Sequence, residues 1–204
     1  MHPSSTLAIA VAKSERWMNE SIDLLNELAF SFTPRKALAV ALLHLSIEHR
    51  NAILVSVKHG LTGSAHALLR PQLESAVRGF WVVDHASDSD IAKFAGGAEP
   101  PRIDKLLTDL KSSERFDGSL LASVKDKNWK AMCDLTHGGA RQAGARVQAN
   151  EVSAGFTAGD LIELLDFSAS GSAFVAAGMA DIAENSVLVG RIAQAFYAIY
   201  RAEA

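Results

Sequence analysis

The apolar residues of this chain recur at a helical period along most of its length. Near the N-terminus, large apolar residues recur at spacings near three and four, as Ile22 and Leu25 or Leu24 and Leu28 do, which favours one face of a helix. The full set is Trp17, Ile22, Leu24, Leu25 and Leu28. The segment 33–60 begins with Thr33-Pro34, an N-cap residue followed by a first-turn proline, and ends at Gly60. A single helix of about seven turns is therefore predicted there.

The rest of the chain carries the same pattern. Further helices are predicted from residue 62 or 64 to 85, around 91–95, at 102–111, at 119–137 and, after a capping-box pair of Thr157 and Asp160, in two or more stretches to the C-terminus. The segment 96–101, GGAEPP, is short enough to connect two helices. No Asn-Gly or Asp-Gly pair lies between alternating apolar runs. We expect one all-α domain, residues 1–204: a bundle of long antiparallel helices with shorter connecting helices.

Composition narrows the classes of function. The chain has 20 Lys and Arg against 23 Asp and Glu, a net charge of −3, so it lacks the strong basic excess of a general nucleic-acid binder. Its single cysteine, Cys133, cannot form an intramolecular disulfide, which suits a reducing compartment. No stretch approaches 18 uninterrupted apolar residues. A soluble, cytoplasmic protein without a membrane segment is predicted.

A proline interrupts the segment SAHALLRPQLESAVRGFW, residues 64–81. Inside a helix, Pro71 would lack an N–H and clash with the carbonyl of Ala67, at a cost of about 3 kcal/mol. One interpretation is that the helix bends around the core or restarts at the proline. The other is that the bend and the freed carbonyl form a small polar site into which Arg70 projects.

Charged side chains follow this proline on one arc of the helical projection. Arg70, Glu74 and Arg78 are four residues apart, so one carboxylate can bridge two guanidinium groups. A solvated stripe of charges is the simplest interpretation. However, Trp81 lies on the same arc, and a tryptophan there indicates partial burial and a contact with an arginine.

A second candidate is the segment MCDLTHGGARQAGAR, residues 132–146. Residues 135–150 contain no acidic side chain but include Arg141 and Arg146, so a glycine-containing turn there is suited to hold an anion. His137 is either the last residue of a helix or a site residue. The segment lacks the Lys and Ser/Thr of a phosphate loop, and the chain has no Glu-x-x-His motif. No metal and no cofactor are predicted.

The runs HALLRPQLESAVRGFWVVDHA and MCDLTHGGARQ, with the alanine-rich C-terminal helix, resemble a family of uncharacterised bacterial all-α proteins related to HEPN-like helical bundles. The resemblance covers mainly residues 38–190. It implies that the proline-interrupted helix and the His-Gly turn face each other, and it implies no particular reaction. HEPN ribonucleases carry an arginine followed, after four to six residues, by a histidine. Arg78 and His85 have this spacing, which also arises by chance in a chain with seven histidines.

Two functions are predicted from these observations. The first is a ligand- or partner-binding module, expected to be a homodimer, that binds a small anion, a nucleotide or a protein. Its pocket would be formed by Arg70, Glu74, Trp81, His137 and Arg141. The alternative is a metal-independent HEPN-type ribonuclease of a defence or toxin system, in which RNA is the partner. Its acid–base and charge-stabilising groups would be Arg78, His85 and His137.

Overall fold

The computed structural model describes residues 5–31, 33–113, 115, 118–148, 151–153 and 155–200. These residues form ten helices: α1 (Ser5–Asn26), α2 (Pro34–Lys58), α3 (Thr62–Ala67), α4 (Leu69–Asp84), α5 (Asp88–Ala95), α6 (Ile103–Leu110), α7 (Gly118–Thr136), α8 (Ala140–Gly144), α9 (Ala158–Ile182) and α10 (Ser186–Tyr200). Between α8 and α9, strand β1 (Val147–Gln148) pairs antiparallel with β2 (Glu151–Val152). The predicted all-α fold is confirmed. The hairpin was not predicted, because two-residue strands leave no alternating pattern in a sequence.

The helix starts that the sequence marks are formed by side-chain caps. Thr33 Oγ1 accepts a hydrogen bond from the backbone N–H of Lys36 at 3.2 Å, with Pro34 in the first turn of α2. At the start of α9, Thr157 and Asp160 form the reciprocal bonds of a capping box, as predicted. Local sequence therefore sets where both of the longest helices begin.

Three apolar clusters form the core, and α9 contributes to each of them. In the largest cluster, α9 packs against α2, α4, α6 and α7. In the second it packs against α1, α2 and α3, and in the third against α1 and α10. The small residues at 168–180 allow this close packing. Trp17 Nε1, for example, donates to Ser172 Oγ at 2.8 Å, and Ala169 and Ala176 are fully buried. The close contact is therefore within the chain.

Within the described residues, α2 and α9 are long and apolar enough to cross a membrane, judged by length and composition alone. The same composition is found in helices of a protein core, and 39% of the apolar window of α2 and 50% of that of α9 are buried in this chain. The cytoplasmic location stays a prediction.

The helix is interrupted at Leu68, three residues before the proline. Helix α3 ends at Ala67 and α4 begins at Leu69, so Pro71 is in the first turn of α4, where a backbone N–H needs no partner within the helix. The cost of an interior proline does not arise, and the restarting helix is the interpretation that fits. The hydroxyl of Thr136, at the end of α7, lies 3.2 Å from the carbonyl of Ala67 and 2.7 Å from that of Met132. This contact brings the end of α7 beside Arg70.

Candidate functional site

Arg70 is held on three sides. Its Nε donates to Glu74 Oε1 at 2.7 Å, its Nη1 lies 2.6 Å from His137 Nε2, and its guanidinium carbon lies 4.7 Å from the ring centroid of Trp129. Since arginine can only donate, the imidazole accepts through Nε2. Residues from α4, from α7 and from the turn after α7 thus fix one guanidinium group, and the turn does face the start of α4.

Glu74 links Arg70 to a second arginine. Its Oε2 accepts from Arg78 Nη2 at 2.7 Å, and its side chain is 15% exposed. The predicted spacing of four residues therefore produces a bridge in which one carboxylate serves two guanidinium groups. Because this carboxylate is largely buried, its loss would leave two half-buried cations without their common partner.

These side chains line a cleft of about 700 Å³. Its other walls are the segment before α6 and the face of α7 that carries Trp129. We term it the arginine cleft; its charged and aromatic residues are Arg70, Glu74, Arg78, Phe94, Glu99, Arg102, Asp104 and Trp129. It is large enough for a small organic molecule.

The arginine cleft has a surplus positive charge beside Arg70 and Arg78, because Glu74 can neutralise only one of them. Asp104 is paired with Lys125 at 2.6 Å, and the hydrogen bond from Lys125 is the main cause that lowers the pKa of Asp104. The remaining pair, Arg102 and Glu99, is exposed and has opposite charges that cancel. The cleft is thus suited to one negative charge.

A smaller cavity of about 200 Å³ adjoins the arginine cleft and shares Arg78, Leu42, Phe94 and three further residues with it. We term it the apolar cavity; the aliphatic and aromatic side chains in its wall are Leu38, Leu42, Trp81, Val82, Ile91 and Phe94. Arg78 Nε is buried and has no hydrogen-bond partner in the part of the chain that the structure describes. An arginine with an unused donor therefore belongs to both spaces.

Trp81 lies on the same face of α4 as Arg70 but is covered by α6. It is 7% exposed, and its Nε1 donates to Asp109 Oδ2 at 2.9 Å. The hydrogen bond from Lys105 is the main cause that lowers the pKa of Asp109. The hydrogen bond from Trp81 and the nearby His85 lower it further. Helix α6 thus covers the C-terminal half of the arc that the sequence suggested. Only the N-terminal half faces the arginine cleft.

The two residues with the ribonuclease spacing are not in contact. Arg78 lies on α4, and His85, seven positions later, is the residue that caps the C-terminus of this helix, about 10 Å away along the helix axis. His85 follows the last residue of α4, and its Nε2 is buried without a hydrogen-bond partner among the described residues. His137, in contrast, is exposed and lies against Arg70.

Arg141 lies in a different cleft, against another face of α7. This space of about 800 Å³ is termed the carboxylate cleft; its ionisable residues are His66, Arg141, Asp160, Glu163 and Asp166. The chain turns away from Arg70 after His137, because Gly138 has a φ of 68° and the backbone N–H of Arg141 donates to Asp134 Oδ2 at 2.5 Å. His137 and Arg141 are four residues apart but do not share a site.

Burial and local hydrogen bonds perturb the pKa values in the carboxylate cleft. Burial is the main cause that lowers the pKa of His66, whose ring stacks on Phe156 at 3.8 Å. The hydroxyl and backbone of Thr157 lower the pKa of Asp160, whereas burial raises the pKa of Asp166. Three carboxyl groups and one arginine make this cleft a poor place for an anion.

Of the five predicted pocket residues, Arg70 and Glu74 line the arginine cleft, and His137 contacts Arg70. Trp81 and Arg141 lie elsewhere, for the reasons given above. Trp129 and Arg102 also line the arginine cleft and were not predicted from the sequence. For Trp129 a signal existed: with Met132 and Thr136 it forms a stripe spaced by three and four residues, and that stripe faces α3 and α4.

The described residues contain no group of three or more His, Cys, Asp or Glu side chains that could hold a metal ion.

Comparison with known proteins gives one match. The model of a family of unknown function, DUF6988, matches residues 43–201, a range that includes α4, α7 and all lining residues of both clefts except Leu42. No curated protein and no solved structure matches the chain. The resemblance to an uncharacterised family is thus confirmed, while the relation to HEPN-like bundles and the bacterial origin stay predictions.

Proposed function

The chain belongs to the DUF6988 family of unknown function, and we propose that it is a ligand-binding module whose arginine cleft takes a small anion. The observation that carries this proposal is the orientation of Arg70 by Glu74, His137 and Trp129. A guanidinium group that is already held in place loses less conformational freedom on binding than a free surface arginine.

Arg70 keeps donors for a ligand. A guanidinium group has five N–H donors, and the contacts with Glu74 and His137 use two of them. The side chain is 24% exposed, so an oxyanion can reach the remaining donors from the cleft. The surplus positive charge beside Arg70 and Arg78 acts in the same direction, since charge-assisted hydrogen bonds are the stronger ones.

The test compares two arginines that the sequence assigned to one pocket. Binding of benzoate and of inorganic phosphate would be measured by NMR titration for the natural protein, Arg70→Gln and Arg141→Gln. We expect Arg70→Gln to weaken binding at least about tenfold, since a hydrogen bond to a charged group contributes roughly 1.5–3 kcal/mol. Arg141→Gln should change affinity less than about twofold, within the usual effect of a surface substitution.

Two outcomes would contradict the anion site. One is that neither anion binds at millimolar concentration; the other is that Arg70→Gln binds as tightly as the natural protein. Urea unfolding of both variants serves as the control, because a variant that has lost its fold would also lose binding. Light scattering on the same samples tests the predicted homodimer.

A second candidate function, a metal-independent HEPN-type ribonuclease, is supported by the contact between Arg70 and His137. A histidine beside a guanidinium group is the pair that proton transfer and phosphate stabilisation require. In this case we propose that His137 acts and His85 does not, because His85 Nε2 is buried. Labelled total RNA in EDTA should be cleaved by the natural protein and by His85→Ala but not by folded His137→Ala. The absence of cleavage at high protein concentration would overturn this candidate.

A further inference from the structure

We propose that the ligand of the arginine cleft is a carboxylate joined to an apolar group about the size of one aromatic ring. The carboxylate would bind Arg70 and Arg78, and the apolar group would enter the apolar cavity. This inference rests on the proposed anion site. It starts from the observation that Arg78, Leu42 and Phe94 line both spaces.

The size of the apolar cavity limits the apolar group. A cavity of roughly 150 Å³ can hold a benzene molecule, and the apolar cavity has about 200 Å³. Its walls include Leu38, Val82, Ile91 and Phe94, which give it a largely apolar surface, and the charged side chains of Arg78, Asp90, Lys93 and Glu99 complete the lining. A ring or a short branched chain can pack against the apolar side chains of this space and lose contact with water.

The charge of the arginine cleft indicates a carboxylate rather than a phosphate monoester. One positive charge beside Arg70 and Arg78 remains after pairing with Glu74, so a monoanion is neutralised and a dianion is not. A planar carboxylate also matches the fork of a guanidinium group. Because Arg78 lines both spaces, a carboxylate at their junction can contact its guanidinium group while the apolar group enters the apolar cavity.

The other charged groups around the apolar cavity offset one another. Asp90 is held in the capping box of α5, where hydrogen bonds from Ser87 lower its pKa and favour its negatively charged form. Lys93 lies in the same wall and offsets this charge, and the exposed Glu99 is offset by Arg102, which is close in sequence. The negative end of the ligand is therefore attracted to Arg70 and Arg78.

The three tryptophans give a direct readout of where a ligand binds. Their indole N–H groups give separate NMR signals: Trp129 lies at the arginine cleft, Trp81 at the apolar cavity and Trp17 in the α1–α9–α10 core. Titration with acetate, inorganic phosphate and benzoate is the experiment. Benzoate should bind at least about tenfold more tightly than acetate, because its ring is removed from water. It should shift both Trp129 and Trp81, whereas acetate should shift mainly Trp129.

A pair of matched variants fixes the position of the ring. Ala98 is exposed and lines the apolar cavity, so Ala98→Leu narrows that space without disturbing the core. Ala95 is equally exposed but lines neither space, so Ala95→Leu is the control. We expect Ala98→Leu to weaken benzoate at least fivefold and to leave acetate unchanged, and Ala95→Leu to change neither.

The possible outcomes distinguish the carboxylate with an apolar group from the anion site on which this inference rests. If acetate, phosphate and benzoate bind equally well and binding of each depends on Arg70, the anion site is supported and the proposed apolar part of the ligand is contradicted. The apolar part is also contradicted if Ala98→Leu does not weaken benzoate and benzoate does not shift the Trp81 signal. If no anion depends on Arg70, both proposals fall.

Discussion

The two clefts on α7 have nearly the same volume, about 700 and 800 Å³, but opposite charge. The arginine cleft has two guanidinium groups bridged by one carboxylate, with Trp129 as its aromatic wall. The carboxylate cleft has three carboxyl groups along the first two turns of α9, with Arg141 as its only arginine among the described lining residues. The size of a cleft therefore does not identify its ligand; the pairing of its charges does.

The comparison also shows how one helix supplies two surfaces. Neighbouring residues on a helix differ by about 100°, so Asn128 and Trp129 face different clefts. The same rotation, followed by the turn at Gly138, separates His137 from Arg141. A run of residues that reads as one basic segment in the sequence is thus divided between two sites.

The largest expected effect comes from a glycine at which α4, the helix that carries Arg70 and Arg78, approaches α2 closely. A Cβ at Gly79 on α4 would lie 2.7 Å from Leu43 side-chain atoms and 3.0 Å from the carbonyl of Ala39. Gly79→Ala should therefore lower the free energy of unfolding by about 1–3 kcal/mol. Urea denaturation followed by circular dichroism measures this change.

The matched control is Gly171 on α9, where a Cβ would lie 3.4 Å from Gln72 Nε2, an ordinary contact. Gly171→Ala should stabilise the protein by up to about 1 kcal/mol, because alanine favours helix more than glycine does. Equal stability changes in the two variants would contradict the close approach of α4 to α2.

The next effect concerns the contact that joins α7 to the restarted helix. Thr136→Val removes the hydroxyl that lies between the carbonyls of Ala67 and Met132, and should cost about 1 kcal/mol of unfolding free energy. In Pro71→Ala, residue 71 regains an N–H that can reach the Ala67 carbonyl, so the cost of Thr136→Val should be smaller. A double-mutant cycle measures the difference. An identical cost in both backgrounds would show that the hydroxyl does not serve the Ala67 carbonyl.

Features that depend on residues close together in the sequence could be predicted, whereas features that depend on distant segments could not. Four features depend on residues within a few positions of each other, and each was predicted. They are the starts of α2 and α9, the end of α7 near Gly138 and the Glu74 bridge. The position of Trp81 was not, because it depends on α6, more than twenty residues away. No local pattern indicates that α6 covers one half of the α4 arc.

The same reasoning applies to the members of the site. Arg70 and Glu74 share one helix, so their spacing alone brings them together. Trp129 and Arg102 come from segments distant in sequence, and only the packing of α7 and the course of the segment before α6 place them beside Arg70. For a similar reason the sequence alone does not decide between the two interpretations of Pro71, since a helix break depends on which group receives the freed carbonyl.

A smaller effect separates the two faces of α7 by ligand affinity. Trp129→Leu removes the ring under Arg70 and should weaken benzoate about three- to fivefold, the range of a partly exposed cation–π contact. Asn128→Ala, on the face toward the carboxylate cleft, should have no effect on the same titration. The division of α7 into two surfaces would be contradicted if both variants weakened benzoate equally.

The smallest expected effect is the pH dependence of the free energy of unfolding, to which His66 in the carboxylate cleft contributes. Burial lowers the pKa of His66 below 6.5, and it lowers that of His49 in the same way, so the unfolded chain takes up protons more readily than the folded one. The free energy of unfolding should therefore fall as the pH decreases through about 6.5.

His66→Leu should reduce the slope of unfolding free energy against pH between about 7 and 5, where an unperturbed histidine titrates. Phe156→Leu serves as the control, because it changes the stacking partner but keeps the titrating ring. Urea unfolding at several pH values gives both slopes. An unchanged slope in His66→Leu would show that this histidine is not the buried proton acceptor that its surroundings indicate.

The most direct test of the arginine cleft as the ligand site is anomalous diffraction from crystals soaked with para-bromobenzoate. We expect a bromine peak in the apolar cavity beside Ile91 and Phe94, with the carboxylate on Arg70 and Arg78. A bromine peak in the carboxylate cleft near Arg141, or no peak at a concentration that saturates the protein in solution, would contradict the account.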